Sequence, residues 1–441
     1  MGGRRARSRG GGGRSTISWP GAVVSGPPLV VAARIIPVVA ILVLLGVWGR
    51  ELPILVEVVV VGLLAASVLA AVHHAEVVAH RVGDLFGSLI LAVAVTVIEV
   101  GLIITLMISG GPATGSLARD TVFAAVMITC NGIVGLALLL SALRRHVAEF
   151  NPEGTGAALA TVITLATLSL VIPSFTTSAP GPEFSGPQLA FAATASLVLY
   201  ALFVFVQNVR HRESFLSVPV PGRAEVARRE STAQHDAARD AAARGDMGRD
   251  DTGRDDTGRD DTGRDDTGRD DTGRDDAGLG DIGGDAVAPS ARTALTGLAL
   301  LVTALIAVVG LAKTESKTIE QAVTAAGLPQ SVVGVVIALL VLLPETLAAA
   351  RNARRDRTQI SLNLALGSAM ASIGLTIPVI AVASVWFTGP LLLGLGPNQI
   401  VLLALTAVVG TLTVMPGRAT LLQAAVHLAL CAGYLFLAAN P

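Results

Sequence analysis

Apolar runs of about 20 residues, recurring along a chain of 441, constrain this protein more than any single motif it carries. A helix of that length crosses the roughly 30 Å of hydrocarbon in a bilayer, so lipid is the solvent for most of the chain and its principal partner. Hydrophobic residues make up 52% and charged residues 15%, with a mean hydropathy of +0.66, more apolar surface than a soluble domain can hide. Aromatics are scarce at 4%, whereas Ala, Val, Leu and Gly abound. That composition suits helices packed closely on one another, not the alternating strands of a membrane barrel. The expected fold class is all-α, a polytopic membrane protein.

About eleven spans can be placed, at roughly 28–49, 53–73, 86–108, 121–143, 156–175 and 187–208, then 293–312, 331–350, 360–386, 398–415 and 419–438. Residues 1–27 are basic and Gly-rich and read as a cytoplasmic tail, not a cleaved signal. With that tail inside, the cytoplasmic connections hold Arg81, Arg144, Arg145, Arg210, Arg212, Arg351, Arg354, Arg355, Arg357 and Arg418. The external ones hold only Arg50, Arg119, Lys313 and Lys317. The positive-inside rule therefore supports both the count and the orientation. The preference for Arg over Lys hints at a GC-rich bacterial genome.

Residues 209–291 are hydrophilic and contain the pentapeptide GRDDT repeated from Gly248, ending in GRDDA at Ala277. Such a stretch cannot bury a core and reads as a disordered cytoplasmic linker. Formal net charge is −1, which gives no global attraction for nucleic acid, and Cys130 and Cys431 lie inside apolar runs with no disulfide or zinc pattern. Span 28–49 then stands apart as an extra helix, with five spans in 53–208 and five in 292–438. Five is odd, so the second set must insert upside down, which gives two inverted five-helix repeats with ion sites expected at the midplane. One short match supports the repeat. Glu76 precedes Gly83 and the Glu99 span, as Glu320 precedes Gly327 and the Glu345 span, with the same spacing.

Glu99 and Glu345 each lie deep in the second span of their half. An ionisable group there costs several kcal/mol unless it is paired, hydrated or neutralised. Inverted repeats would bring the two together, and a carboxylate pair in a low dielectric either binds a cation or takes up protons. Ca2+ wants about six to eight oxygens, so neutral groups must complete a shell around it. Thr96 is three residues before Glu99, Ser368 and Ser372 form an i, i+4 pair, Asn131 is polar within a span, and Pro344 leaves a carbonyl free one turn back. Each hydroxyl or amide serves equally well as a helix-packing hydrogen bond. His73, His74, Glu76 and His80 cluster at the cytoplasmic end of the second span. They would suit a metal or a pH sensor, but a hydrated helix end beside a vestibule, with Glu76 drawing in cations, is the expectation. His427 reads as a packed histidine.

The segments HHAEVVAHRVGDLFGSLILAVAVTVIEVGLI around Glu99 and LVLLPETLAAARNA around Glu345, followed by SLNLALGSAM, resemble the Ca2+/cation antiporter superfamily, and within it the bacterial calcium/proton antiporters of the ChaA type. The resemblance covers nearly everything from about residue 30 except the GRDDT linker. It implies an extra first helix, two inverted five-helix repeats, and one acidic residue per repeat, here Glu99 and Glu345, occupied alternately by Ca2+ and protons. The wider family carries Gly-Asn ahead of each glutamate, whereas Val95–Thr96 and Val341–Leu342 stand here, and Ala371 stands where many relatives have Gln. Members of the ChaA type are also associated with Na+ and K+ export.

The expected function is Ca2+/H+ antiport, with the bacterial cytoplasmic membrane as the location that goes with it and Na+(K+)/H+ antiport at the same glutamates as the alternative, and no cofactor is implied beyond the transported ions. An intramembrane hydrolase would need a nucleophile and base or an HExxH-type motif, and an ATP-driven pump a nucleotide-binding motif; neither occurs. A channel would not couple to protons, and a scaffold would tolerate loss of either glutamate.

Overall fold

The computed structural model describes residues 27–50, 52–82, 84–210, 212–215, 291–386 and 389–441. Most of the tail and of the acidic linker lies outside the described residues. The first half contributes α1 (Pro27–Val47), α2 (Ile54–Val82), α3 (Asp84–Gly110), α4 (Leu117–Met127), α5 (Val134–Arg145), α6 (Pro152–Ala166) and α7 (Gly186–Phe205). The second contributes α8 (Ala291–Ala325), α9 (Ser331–Val341), α10 (Leu343–Arg354), α11 (Thr358–Ala383), α12 (Pro397–Val414) and α13 (Leu421–Ala439). A π-helical turn, Ile128–Ile133, joins α4 to α5 as one span. Among the described residues ten segments are long and apolar enough to cross a membrane, and the bent pair α9 and α10 makes eleven.

Local chemistry sets the helix ends. Asn151 accepts hydrogen bonds from the backbone of Glu153 and Gly154 while Pro152 starts α6, and Gln188 reaches back to Ser185 at the start of α7. Between helices, glycines allow close approach without a strong hydrophobic drive. A Cβ on Gly374 of α11 would lie 2.6 Å from Tyr200 Cβ of α7, and one on Gly334 of α9 would lie 2.8 Å from the backbone nitrogen of Thr121 in α4. Tyr200 Cβ is not the free end of a side chain, so it cannot swing aside. Gly374→Ala is therefore expected to force α7 from α11 and cost about 1–3 kcal/mol. The readout is the thermal unfolding midpoint in detergent, and an unchanged midpoint would mean the helices are not in that contact.

The packing has the symmetry of an inverted repeat. α2 packs on α8, and α6 on α12. The pairing of α3 with α11 is matched by α9 and α10 against α4 and α5, and that of α7 with α11 by α13 with α5. Exchanging the two five-span sets maps the first two pairings onto themselves and each of the others onto its counterpart. α1 stands outside the repeat and lies against α2 and α8.

The connections obey the same exchange, which the sequence did not lead us to expect. On the arginine-rich face, β1 (Val147–Glu149) pairs antiparallel with β2 (Arg418–Thr420), and Arg145 bridges to Asp356 at 3.0 Å. On the opposite face, Leu395 N donates to Leu170 O at 2.8 Å and Gly394 N to Pro182 O at 2.9 Å. Each connection takes its partner from the other half, because irregular backbone near a membrane must have its polar groups satisfied by protein.

Two expectations need correction. Lys313 and Lys317 are not in a connection, because α8 runs for 35 residues and carries both within it. Span 331–350 is not continuous, because the chain bends by 50° at Leu342.

Candidate cation site

α3 passes Glu99 without a break, and the carboxylate ends up 3% exposed among apolar neighbours. A charge so enclosed needs a donor from another helix, and Ser372 of α11 supplies it, with Oγ donating to Glu99 Oε1 at 2.6 Å. Thr96, one turn earlier on α3, is also buried, and its hydroxyl has no partner. Ser368 is half-buried one turn before Ser372 on α11.

Glu345 is built differently. Pro344 lacks a donor and clashes with the preceding turn, so the helix stops at Val341 and restarts at Leu343. Glu345 thereby sits in the first turn of α10, at the positive end of that half-helix dipole. It is 6% exposed and its Oε2 has no hydrogen-bond partner. The nearby Thr346 hydroxyl is turned back onto Leu342 O at 2.7 Å. Glu99 and Glu345 lie within electrostatic range of one another, and Glu76, half-buried on α2, lies within range of Glu345. The fold thus brings together one carboxylate from each half, with a third toward the arginine-rich face.

The remaining candidates separate. Asn131 is engaged elsewhere, with its amide nitrogen donating to Thr406 Oγ1 at 2.9 Å and its oxygen 3.2 Å from His427 Nδ1. His427 Nε2 reaches Thr413 Oγ1 at 3.1 Å, so this buried set ties the π turn to α12 and α13. The histidine is packed, as expected. Asn131→Ala is expected to strip His427 of a partner and cost about 1–3 kcal/mol of stability, leaving ion affinity nearly unchanged. Side-by-side unfolding and ion-binding measurements decide it, and a large loss of affinity at intact stability would return Asn131 to the ion shell. His73 and His74 meet edge to face at 5.4 Å, and His74 Nε2 is bonded to Ala33 O at 3.0 Å, which fixes that ring against α1. The His80 side chain lies outside the described residues. Among the described residues no group of three or more His, Cys, Asp or Glu is arranged to hold a metal.

One group went unnoticed in the sequence. Thr376 follows Ser372 by one turn, is fully buried, and has an unpartnered hydroxyl. The i, i+4 step from Ser368 through Ser372 was the available signal, and it extends by one more turn.

Two inverted sets of spans, each with a buried carboxylate in its second span, are the architecture of secondary transporters of the inverted-repeat class. The model of the sodium/calcium exchanger protein family matches residues 52–209 and 296–439, and the chain belongs to that family. The match takes in both halves and leaves out α1 and the acidic linker. A Sinorhizobium fredii protein provisionally named as an ionic transporter, y4hA, is 42% identical over 86% of this chain and 87% of its own length. The sodium-potassium/proton antiporter ChaA of Escherichia coli is 29% identical over 91% of this chain and 94% of its own. Among solved structures, native YfkE superposes with a TM-score of 0.58 at 14% identity, covering 93% of this chain and 99% of that one. The H+/Ca2+ exchanger CAX gives 0.56 at 14% identity, covering 92% and 91%. At that identity the likeness bears on the fold alone.

Proposed function

We propose that this protein is a cation/proton antiporter of the bacterial cytoplasmic membrane, with its N-terminus inside, that exports Ca2+ against proton entry. Glu99 and Glu345 hold the ion and the protons in turn. The observation that carries this reading is the pair itself, two buried carboxylates, one from each inverted half, in electrostatic range of one another. Two carboxylates neutralise a divalent cation or two protons equally well, so one site serves both cargoes and either occupant displaces the other. Ser372 already faces Glu99, and the unpartnered hydroxyls of Thr96 and Thr376 are available for the shell Ca2+ requires. Glu76, between the site and the arginine-rich face, gathers cations on the cytoplasmic side.

A second reading, Na+(K+)/H+ exchange at the same carboxylates, is favoured by the name of the E. coli relative and by Val95–Thr96 and Val341–Leu342, which supply no side-chain amide ahead of either glutamate. The experiment that separates them uses purified protein in liposomes under an imposed pH gradient, with Ca2+, Na+ and K+ fluxes measured in parallel. Proton-driven Ca2+ movement supports the first reading. Monovalent flux with no Ca2+ movement selects the second, and no proton coupling with any cation removes both.

A further inference from the structure

A second acidic pair lies well away from the central one, where α1, α2 and α8 meet toward the face opposite the arginine-rich one. Glu315 of α8 is 0% exposed, and neither of its carboxylate oxygens has a hydrogen-bond partner. Glu57, in the first turn of α2, is close enough for its charge to act on Glu315. Thr318, one turn beyond Glu315, donates to Glu57 Oε1 at 3.1 Å and so binds that carboxylate to the same stretch of α8. Lys313, two residues before Glu315, is directed elsewhere, with its Nζ 5.1 Å from the centre of the Trp48 ring at the end of α1. Among the described residues, the other charged groups at this end of the neighbouring elements are Lys317 and Glu320 on α8 itself and Arg50 just after α1; beyond Glu99, α3 has none, and α9 has none.

Depth follows from helix register. A Cβ on Gly101 would touch Val309, and Glu320 Oε1 lies against Gly110, so α3 and α8 run side by side in parallel. Glu99 is level with about Ala307, which places Glu315 eight residues, roughly 12 Å, further toward the opposite face.

An ionised carboxylate enclosed with no donor costs several kcal/mol, whereas its protonated form costs far less. A resident divalent ion would need more oxygens than two carboxylates and one committed hydroxyl provide. We infer that Glu315, backed by Glu57, is a proton-holding station between the face opposite the arginine-rich one and the central carboxylates. This rests on the antiport reading above. A proton from bulk water on that face bonds to a Glu315 oxygen. When a central carboxylate is vacated by its cation, that O–H bond breaks and an O–H bond forms on the vacated carboxylate, leaving Glu315 ionised beside Glu57 until bulk water reprotonates it.

Infrared difference spectroscopy on a Glu99→Gln/Glu345→Gln protein in lipid tests the site without any need for transport. The expected result is a protonated carboxyl band, sensitive to deuterium and to pH, that Glu315→Gln removes and Glu320→Gln leaves. Absence of a band that depends on Glu315, or its replacement by carboxylate bands that respond to added Ca2+, overturns the proposal. In otherwise wild-type protein, Glu315→Gln is expected to shift the half-maximal pH on that face about one unit toward acid, a tenfold loss in apparent proton affinity, with the rate at saturating protons retained. Thr318→Val should shift it in the same direction by less. A Glu315-dependent band with no shift in flux overturns the relay, whereas a band behaving as expected in a protein whose wild type shows no proton coupling counts against the antiport reading alone.

Discussion

Glu99→Gln and Glu345→Gln are each expected to abolish cation-coupled proton movement in liposomes while the protein remains folded. Gln keeps the shape of Glu and can still accept from Ser372 at position 99, so the packing around α3 and α11 has no reason to change. What disappears is a charge. With one carboxylate left, a divalent cation in the site retains an uncompensated positive charge in a low dielectric, at a cost of several kcal/mol, and only one of the two proton acceptors remains. Loss of a costly buried charge should, if anything, raise the unfolding midpoint, and that measurement is the control for folding. The two variants should not be identical in stability. Glu99 has a side-chain donor, whereas Glu345 Oε2 has none, so neutralising Glu345 relieves the larger penalty. Near wild-type exchange by either variant would remove the two-carboxylate site.

The sequence carried most of this fold because a bilayer leaves few choices. Apolar length gave the spans, arginine placement gave a consistent alternation of connections, and an odd number of spans on each side of the linker required inversion. The glutamates stood out because no other acidic side chains lie so deep in apolar runs. Subtler features depended on tertiary context. Pro344 announced a missing hydrogen bond, but only packing decides whether a helix kinks or breaks, and here it breaks so that Glu345 starts a new helix. Asn131 and Ser372 look alike in sequence, each a polar group within a span. The rotation of its helix turns one to His427 and the other to Glu99. The β1 and β2 pairing and its counterpart on the opposite face join segments from different halves, and no local pattern in residues 147–149 or 418–420 signals it. Glu315 was legible only as an acidic residue in a supposed connection, because its burial depends on α1 and α2 closing over α8.

Coupling should be obligatory, and the reason is the cost of carrying charge through hydrocarbon. A site with Glu99 and Glu345 both ionised and empty has two unpaired negative charges, which the bundle penalises by several kcal/mol when access changes sides. Such a site should stay where it is. With Ca2+ bound, or with a proton on each carboxyl, the site is close to neutral and the barrier falls, so each passage outward with one cargo must be followed by a return with the other. Two results are expected from liposomes loaded with Ca2+, with pH set equal on both sides and varied. Ca2+ efflux should slow as pH falls, because protons occupy the carboxylates and displace the ion. Efflux at any pH should be accompanied by internal acidification, or by entry of another exchangeable cation when one is supplied outside. The measurement records Ca2+ and internal pH together, with an ionophore present to balance charge so that electrical back-pressure cannot mimic coupling. Sustained Ca2+ efflux balanced only by the ionophore's current, with no internal acidification and no exchangeable cation supplied outside, would mean that the empty, doubly charged site can switch. A channel or uniporter would then describe the protein, and Glu99 and Glu345 would be a selectivity element, not the exchange site.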